Sequence, residues 1–172
     1  MLQQHWKIAH VDRWKNWKLV NNHLLRAKDL LMFKRITQDD STGCGLACVA
    51  TLARTSYQKI KAQAYEILSG WPNAPRSLYT DILHIKALLN ANDIAHGNYR
   101  HEKNWAKVKT NIAIAAINLN ERNNWHWIVY YRDGDDAYLL DPRAKNEKRR
   151  DFGRAHLHAY LPIYITATST KK

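Results

Sequence analysis

Gln38–Cys48 reads QDDSTGCGLAC and holds two of the groups that thiol-dependent acyl chemistry requires. Cys44 stands between Gly43 and Gly45 at an expected helix start. A free cysteine is mostly protonated at neutral pH, but a helix N-terminus and a neighbouring imidazolium both favour the thiolate. The flanking glycines let backbone and substrate approach closely. Gln38, six residues upstream, offers a side-chain amide. Together with the Cys44 backbone N–H it can donate to the oxyanion of a tetrahedral intermediate, each such donor being worth about 3 kcal/mol. Cys48, one turn further on among Leu46, Ala47, Val49 and Ala50, reads as an ordinary buried thiol.

A base and its orienting carboxylate come from far downstream: His126 in Trp125-His126-Trp127, and Asp141 in Leu140-Asp141-Pro142. Asp-Gly is the favoured centre of a type I′ hairpin turn. Placing Asp133-Gly134 there pairs Arg132 with Asp135 and sets His126 opposite Asp141, on one face, with Cβ atoms about 5 Å apart. Moving the turn by one residue leaves the two diagonal but still on one face, whereas a bulge that breaks the parity separates them. A carboxylate so placed fixes the tautomer and orientation of the imidazole. Each residue alone has an ordinary reading: a core histidine, a turn aspartate, a loop glutamine. Together and in this order, Gln38, Cys44, His126 and Asp141 form a candidate catalytic set.

These residues need a scaffold. Trp17, Val20, Leu24, Ala27 and Leu31 recur at helical spacing within a basic, Trp-rich leader that runs to about Arg35, and Leu30–Ile36 could equally be a short strand. From Cys44 to about Thr55 the apolar run is nearly unbroken, as in a helix buried on every side, with Ser41 or Thr42 as its cap. A second helix is expected over Ser56–Leu68, ending at Ser69-Gly70. A third, capped by Ser77, carries Leu78, Ile82, Ile85, Leu88 and Leu89 on one face. Beyond Gly97 the pattern turns to strands: Ile112–Leu119, an alternating Trp125–Tyr131, Ala137–Asp141 and Ala159–Thr166. Helices first and antiparallel strands second predict an α+β domain.

Composition bounds the partners. The 172 residues suit one domain, and 45% are hydrophobic, with seven Trp and nine Tyr to fill a core. Two cysteines four residues apart make no disulfide framework, which favours a reducing compartment. No stretch approaches the roughly 20 apolar residues of a membrane span, and no signal peptide is visible. The expected location is the cytoplasm, or export by a specialised secretion route. The net charge of +12 attracts polyanions or an acidic protein. Scattered basic residues, with one cluster at Lys145–Arg150, and no nucleic-acid-binding signature argue against nucleic acid without excluding it. No cofactor is expected. A metal site at His156 and His158, or at Cys44 and Cys48, lacks further ligands.

The chain resembles the C39 peptidase family, papain-like domains that process double-glycine leader peptides of bacteriocins. The resemblance lies in Gln38, Cys44-Gly45-Leu46-Ala47-Cys48, His126-Trp127-Ile128 and Asp141-Pro142, and spans roughly Arg35 to Ile165. It implies a papain-like cysteine peptidase fold, with N-terminal helices packed on a C-terminal antiparallel sheet. It also implies Cys44 as nucleophile, His126 as general base and acid, Asp141 as orienter, and Gln38 with the Cys44 amide as oxyanion hole. Two departures stand out: Gly43 occupies a position usually acidic in that family, and no membrane transporter follows the domain in this sequence. The expected organisation is an N-terminal extension over 1–35 and a catalytic domain over 36–172.

The leading expectation is therefore a thiol hydrolase acting on a peptide or isopeptide bond of a peptide or protein substrate. The charge extends it to a bacterial effector or toxin domain neutralised by an acidic inhibitor or immunity protein. The same residues could serve an acyltransferase, transglutaminase or deamidase, since all pass through a thioester. A non-catalytic peptide- or polyanion-binding module is the third possibility.

Overall fold

The computed structural model describes residues 33–72 and 77–165, and Phe33–Ile165 forms one compact unit. The expected amphipathic helix of the leader lies outside the described residues. Leu30–Ile36, the alternative strand, has no strand from Phe33 to Ile36.

Three helices come first. Helix α1, Cys44–Leu52, is buried at every one of its nine residues, which is why its sequence is apolar all round. Its expected cap is absent: Gly43 stands at the N-cap without a side-chain bond. Thr42 instead turns its hydroxyl to accept the Leu78 N–H at 2.7 Å, docking the 77–81 segment on the start of α1. Helix α2, Tyr57–Ile67, is capped by Ser56 and buries Tyr57, Ile60 and Ala64. Helix α3, Ile82–Asn90, begins later than the spacing predicts, because Leu78 to Thr80 lie outside it and Asp81, in an extended conformation, is its N-cap. Asp81, not Ser77, accepts the His84 N–H at 2.8 Å and completes a capping box with the His84 ring.

The strands follow: β1 (Ala95–His96), β2 (Arg100–His101), β3 (Ile112–Ile117), β4 (His126–Asp133), β5 (Asp136–Leu140) and β6 (Leu157–Tyr164), with one 3₁₀ turn at Trp105–Lys107. They form a six-stranded antiparallel sheet in the order β1-β6-β3-β4-β5, with β2 also on β6. The central strands are covered on both faces, so the expected alternation in Trp125–Tyr131 is replaced by five consecutively buried residues in β4. On one face α1 packs against β4 and holds α2 and α3 behind it. On the other, Ala115, Ile117, Ile128, Tyr130 and Leu139 meet Trp105 and Phe152. None of the described helices is long and apolar enough to cross a membrane.

The β4–β5 register takes the shifted alternative. Asp133 pairs with Asp136 and Val129 with Leu140, so Gly134 and Asp135 form the turn. Gly134 has φ +59 and Asp135 has no positive φ, which matches a turn with glycine at its first central position rather than type I′. His126 and Asp141 are consequently diagonal neighbours, beyond the last paired residues of the hairpin.

The two caps give a direct check. Asp81→Ala should destabilise the domain by about 1 kcal/mol. Ser77→Ala should change urea-unfolding stability by less than half of that.

Candidate active site

Cys44 is the first residue of α1 and is 4% exposed. Its own N–H is one of the donors that a helix start leaves without an intrahelical partner. The Trp127 backbone N–H points at the Cys44 sulfur at 3.5 Å. Both neighbouring glycines are required sterically. A Cβ at Gly45 would lie 2.0 Å from Thr80 Oγ1 and 3.1 Å from Trp127 Cδ1, and one at Gly43 would lie 1.8 Å from the Tyr57 hydroxyl.

His126 opens β4, next to Trp127. The Asn-rich loop before it is fixed by Asn120, whose Oδ1 accepts the Arg122 and Asn124 N–H groups at 3.0 Å each. His126 Nε2 is 2.7 Å from Asp141 Oδ1, and both side chains are nearly buried. His126 Nδ1 is buried without a hydrogen-bond partner, while the ring as a whole stands near enough to Cys44 to lower its pKa. The structure therefore brings Cys44, His126 and Asp141 together from a helix start, a strand start and a post-hairpin turn.

Asp141 is held from several sides. Its Oδ1 accepts the Arg143 N–H at 2.9 Å, its carbonyl accepts from Arg35 Nη1 at 3.3 Å, and Arg149 Nη1 stands 4.0 Å from Oδ2. The Arg143 guanidinium also donates to the Ser41 carbonyl, tying this turn to the loop before Cys44. Gln38 lies on that loop, where its backbone N–H donates to the Pro142 carbonyl at 3.4 Å. Its Nε2 donates to the Asp40 carbonyl at 2.6 Å, not toward Cys44, and its Oε1 is buried without a partner. The reverse amide orientation would set two oxygens against each other, so this one holds, and the amide keeps a second N–H.

The electrostatics follow from burial set against pairing. Burial opposes the Cys44 thiolate most strongly. The hydrogen bond and charge of His126, with smaller help from the Trp127 N–H and Arg143, outweigh it and lower the Cys44 pKa. Burial likewise opposes the imidazolium, but Asp141 and Cys44 overcome it and raise His126 to about 9. Asp141 is lowered: burial acts against its charge, and the bonds from His126 and the Arg143 N–H prevail. Cys48 is fully buried among apolar side chains, and burial drives its pKa well above the ordinary value. Of the two thiols, only Cys44 has its pKa lowered.

A cleft of about 140 Å³ opens on Cys44, lined by Tyr79, Thr80, His84, Trp125 and Trp127 among others. Thr80 Oγ1 is buried there without a partner, while the Thr80 carbonyl accepts the Trp127 indole N–H at 2.8 Å. Sequence reading missed Thr80 and Arg143. Neither belongs to a spaced motif, although Arg143 follows Asp141-Pro142 directly.

A solved double glycine motif protease from an AMS/PCAT transporter, crystallised in complex with the leader peptide, superposes on this chain with a TM-score of 0.54. The match covers 78% of this chain and 93% of that one, at 21% sequence identity. The fold is papain-like, of the C39 type. No protein-family model and no curated protein matches the sequence.

Three outcomes test this geometry. The rate of Cys44 alkylation against pH should turn on below the midpoint of an ordinary free thiol, about 8.5. His126→Ala should move that midpoint upward, because burial then acts unopposed. Gly45→Ala should cost about 1–3 kcal/mol in urea unfolding, since its methyl must displace Thr80 and Trp127.

Proposed function

We propose that this domain is a cysteine peptidase-like hydrolase that opens a peptide or isopeptide bond. The observation that carries the reading is the 2.7 Å bond between His126 and Asp141, with the same imidazole coupled to the thiol at a helix start. In this reading the Cys44 thiolate attacks the carbonyl carbon, and the electron pair moves to the oxygen. The Cys44 N–H and the second Gln38 N–H receive that oxyanion. As the C–N bond breaks, His126 hands its Nδ1 proton to the leaving amine. His126 then takes a proton from water, which attacks the thioester and frees the acid and Cys44. Asp141 stays ionised throughout and holds the imidazole.

A peptide is the natural occupant of the cleft, since the structural neighbour was solved with a leader peptide. The +12 charge fits an effector or toxin setting with an acidic neutralising partner, in the cytoplasm or after specialised secretion. An acidic reading frame beside the gene would support that setting, and a neutral or basic neighbourhood would remove it.

The decisive experiment treats the native protein with limiting iodoacetamide at neutral pH and maps the adduct. Selective labelling of Cys44 over Cys48, lost in His126→Ala, supports the reading; equal labelling or none refutes it. Once a cleaved peptide is in hand, products that gain the mass of water mark hydrolysis, whereas deamidation or amine transfer leaves other masses. Activity should also fall as pH rises through about 9, where His126 loses the proton that the leaving amine needs.

A further inference from the structure

Away from Cys44, a broad basin of about 620 Å³ is lined by Lys103, Asn118, Leu119, Arg154, His156 and His158, with no carboxylate among its lining residues. Lys103 and Arg154 make no ion pair among the described residues, and both line the basin. Glu102, beside Lys103 in sequence, is engaged elsewhere: its Oε1 accepts the backbone N–H groups of Lys103 and Asn104 at 2.9 Å each. The rim is built, because His156 and Asn118 exchange two hydrogen bonds of 2.8 and 2.9 Å.

The basin and the Cys44 cleft are linked. In β6, Ala159 pairs with Ala116 but Leu157 pairs with Ile117, leaving His158 as the extra residue of a bulge. Bulges re-aim side chains, and His158 meets the His101 ring edge-on at 5.2 Å. His101 meets Tyr99 at 5.4 Å, and Tyr99 meets Trp127 at 6.4 Å. Trp127 lines the cleft at Cys44. Three ring contacts thus bound the distance from Trp127 to His158 at about 17 Å, the reach of about five extended residues. The sheet agrees: Ile117 pairs with both His126 and Leu157, which sets the basin level with His126.

We propose that this basin anchors acidic side chains of the polypeptide whose backbone occupies the Cys44 cleft, within about five extended residues of the Trp127 wall of that cleft. The proposal rests on the thiolate reading given above. Two features favour an acidic peptide over a nucleic acid. The charges sit in a basin beside a peptide-sized cleft, not along a stripe that could track phosphates. Leu119, 41% exposed, also gives the basin an apolar wall, which suits side chains flanking a carboxylate.

The test has two arms on the full chain. In a Cys44→Ala background, fluorescein-labelled deca-glutamate is titrated at fixed salt. Lys103→Glu with Arg154→Glu should weaken binding about tenfold, while the equally charged control Lys59→Glu with Lys145→Glu should change it by about twofold or less. Equal losses in both pairs would reduce the basin to diffuse surface charge and overturn the proposal. So would tighter binding of a ten-nucleotide oligothymidylate through Lys103 and Arg154. In the second arm the native protein is alkylated with iodoacetyl reagents carrying five glycines and then three glutamates or three glutamines. The glutamate reagent should label Cys44 about tenfold faster, and Lys103→Glu with Arg154→Glu should erase the difference. Equal rates for the two reagents overturn the anchor. Plain iodoacetamide separates the causes: if it fails to prefer Cys44 over Cys48, the thiolate reading falls and the anchoring role with it, whatever deca-glutamate does.

Discussion

The site depends on three ionisable groups whose charged forms burial disfavours and neighbouring groups support. Removing an ion from water costs several kcal/mol unless a partner and hydrogen bonds replace the solvent. Here the replacement runs in series. Asp141 holds His126, His126 acts on Cys44, and the Trp127 N–H adds a dipole at the sulfur. Every member is opposed by burial and supported by its neighbour. Removing one partner therefore leaves the others desolvated and uncompensated, so the chain of contacts acts as a unit.

That dependence places demands on the scaffold. The start of α1 must lie against the start of β4 closely enough for a backbone N–H to reach the Cys44 sulfur. An α1 without a single exposed residue, and glycine at position 45 against Thr80, make such an approach possible. The carboxylate lies past the end of β5 and needs its own fixing. Arg143 and Arg149 act on the carboxylate, and Arg35 holds its backbone carbonyl. Part of the basic composition thus serves one buried anion, and only the remainder is free to address partners. Arg143, reaching both Asp141 and the Ser41 carbonyl, also couples the Asp141 turn to the loop before Cys44.

Much of this was legible in the chain because the chemistry and the local structure coincide. An unbroken apolar run announces a fully buried helix, and the period-2 reading of the hairpin kept His126 and Asp141 on one face in either of its two registers. The register itself was not legible. Asp-Gly signals type I′, but Gly134 takes the first central position, which moves the turn by one residue and every pairing by two residues on one strand, so the faces are kept. The caps failed for a tertiary reason: Thr42 is recruited by the Leu78 N–H, which docks the segment before Asp81 on α1, and α3 starts only after Asp81. Strands β1 and β2, two residues each, are too short to carry any periodicity. Gln38 shows a further limit, because spacing placed it on the right loop but could not show that its amide is held by the Asp40 carbonyl.

Gly43, where resemblance to the C39 peptidases leads one to expect an acid, has a physical explanation. The Tyr57 hydroxyl fills the space a side chain would need, and it donates to Asp40 Oδ2 at 2.9 Å. The same oxygen receives Lys61 Nζ at 2.8 Å, and that hydrogen bond is the main cause of the lowered Asp40 pKa. A carboxylate directly before Cys44 would oppose a thiolate that burial already disfavours. Placed at Asp40 and neutralised by Lys61, the acid keeps its structural use, bracing the loop against α2, while its charge is cancelled locally. The loop that carries Gln38 and Cys44 is therefore tied to α2 through Asp40 and to the Asp141 turn through Ser41, so the two halves of the site are braced from opposite sides.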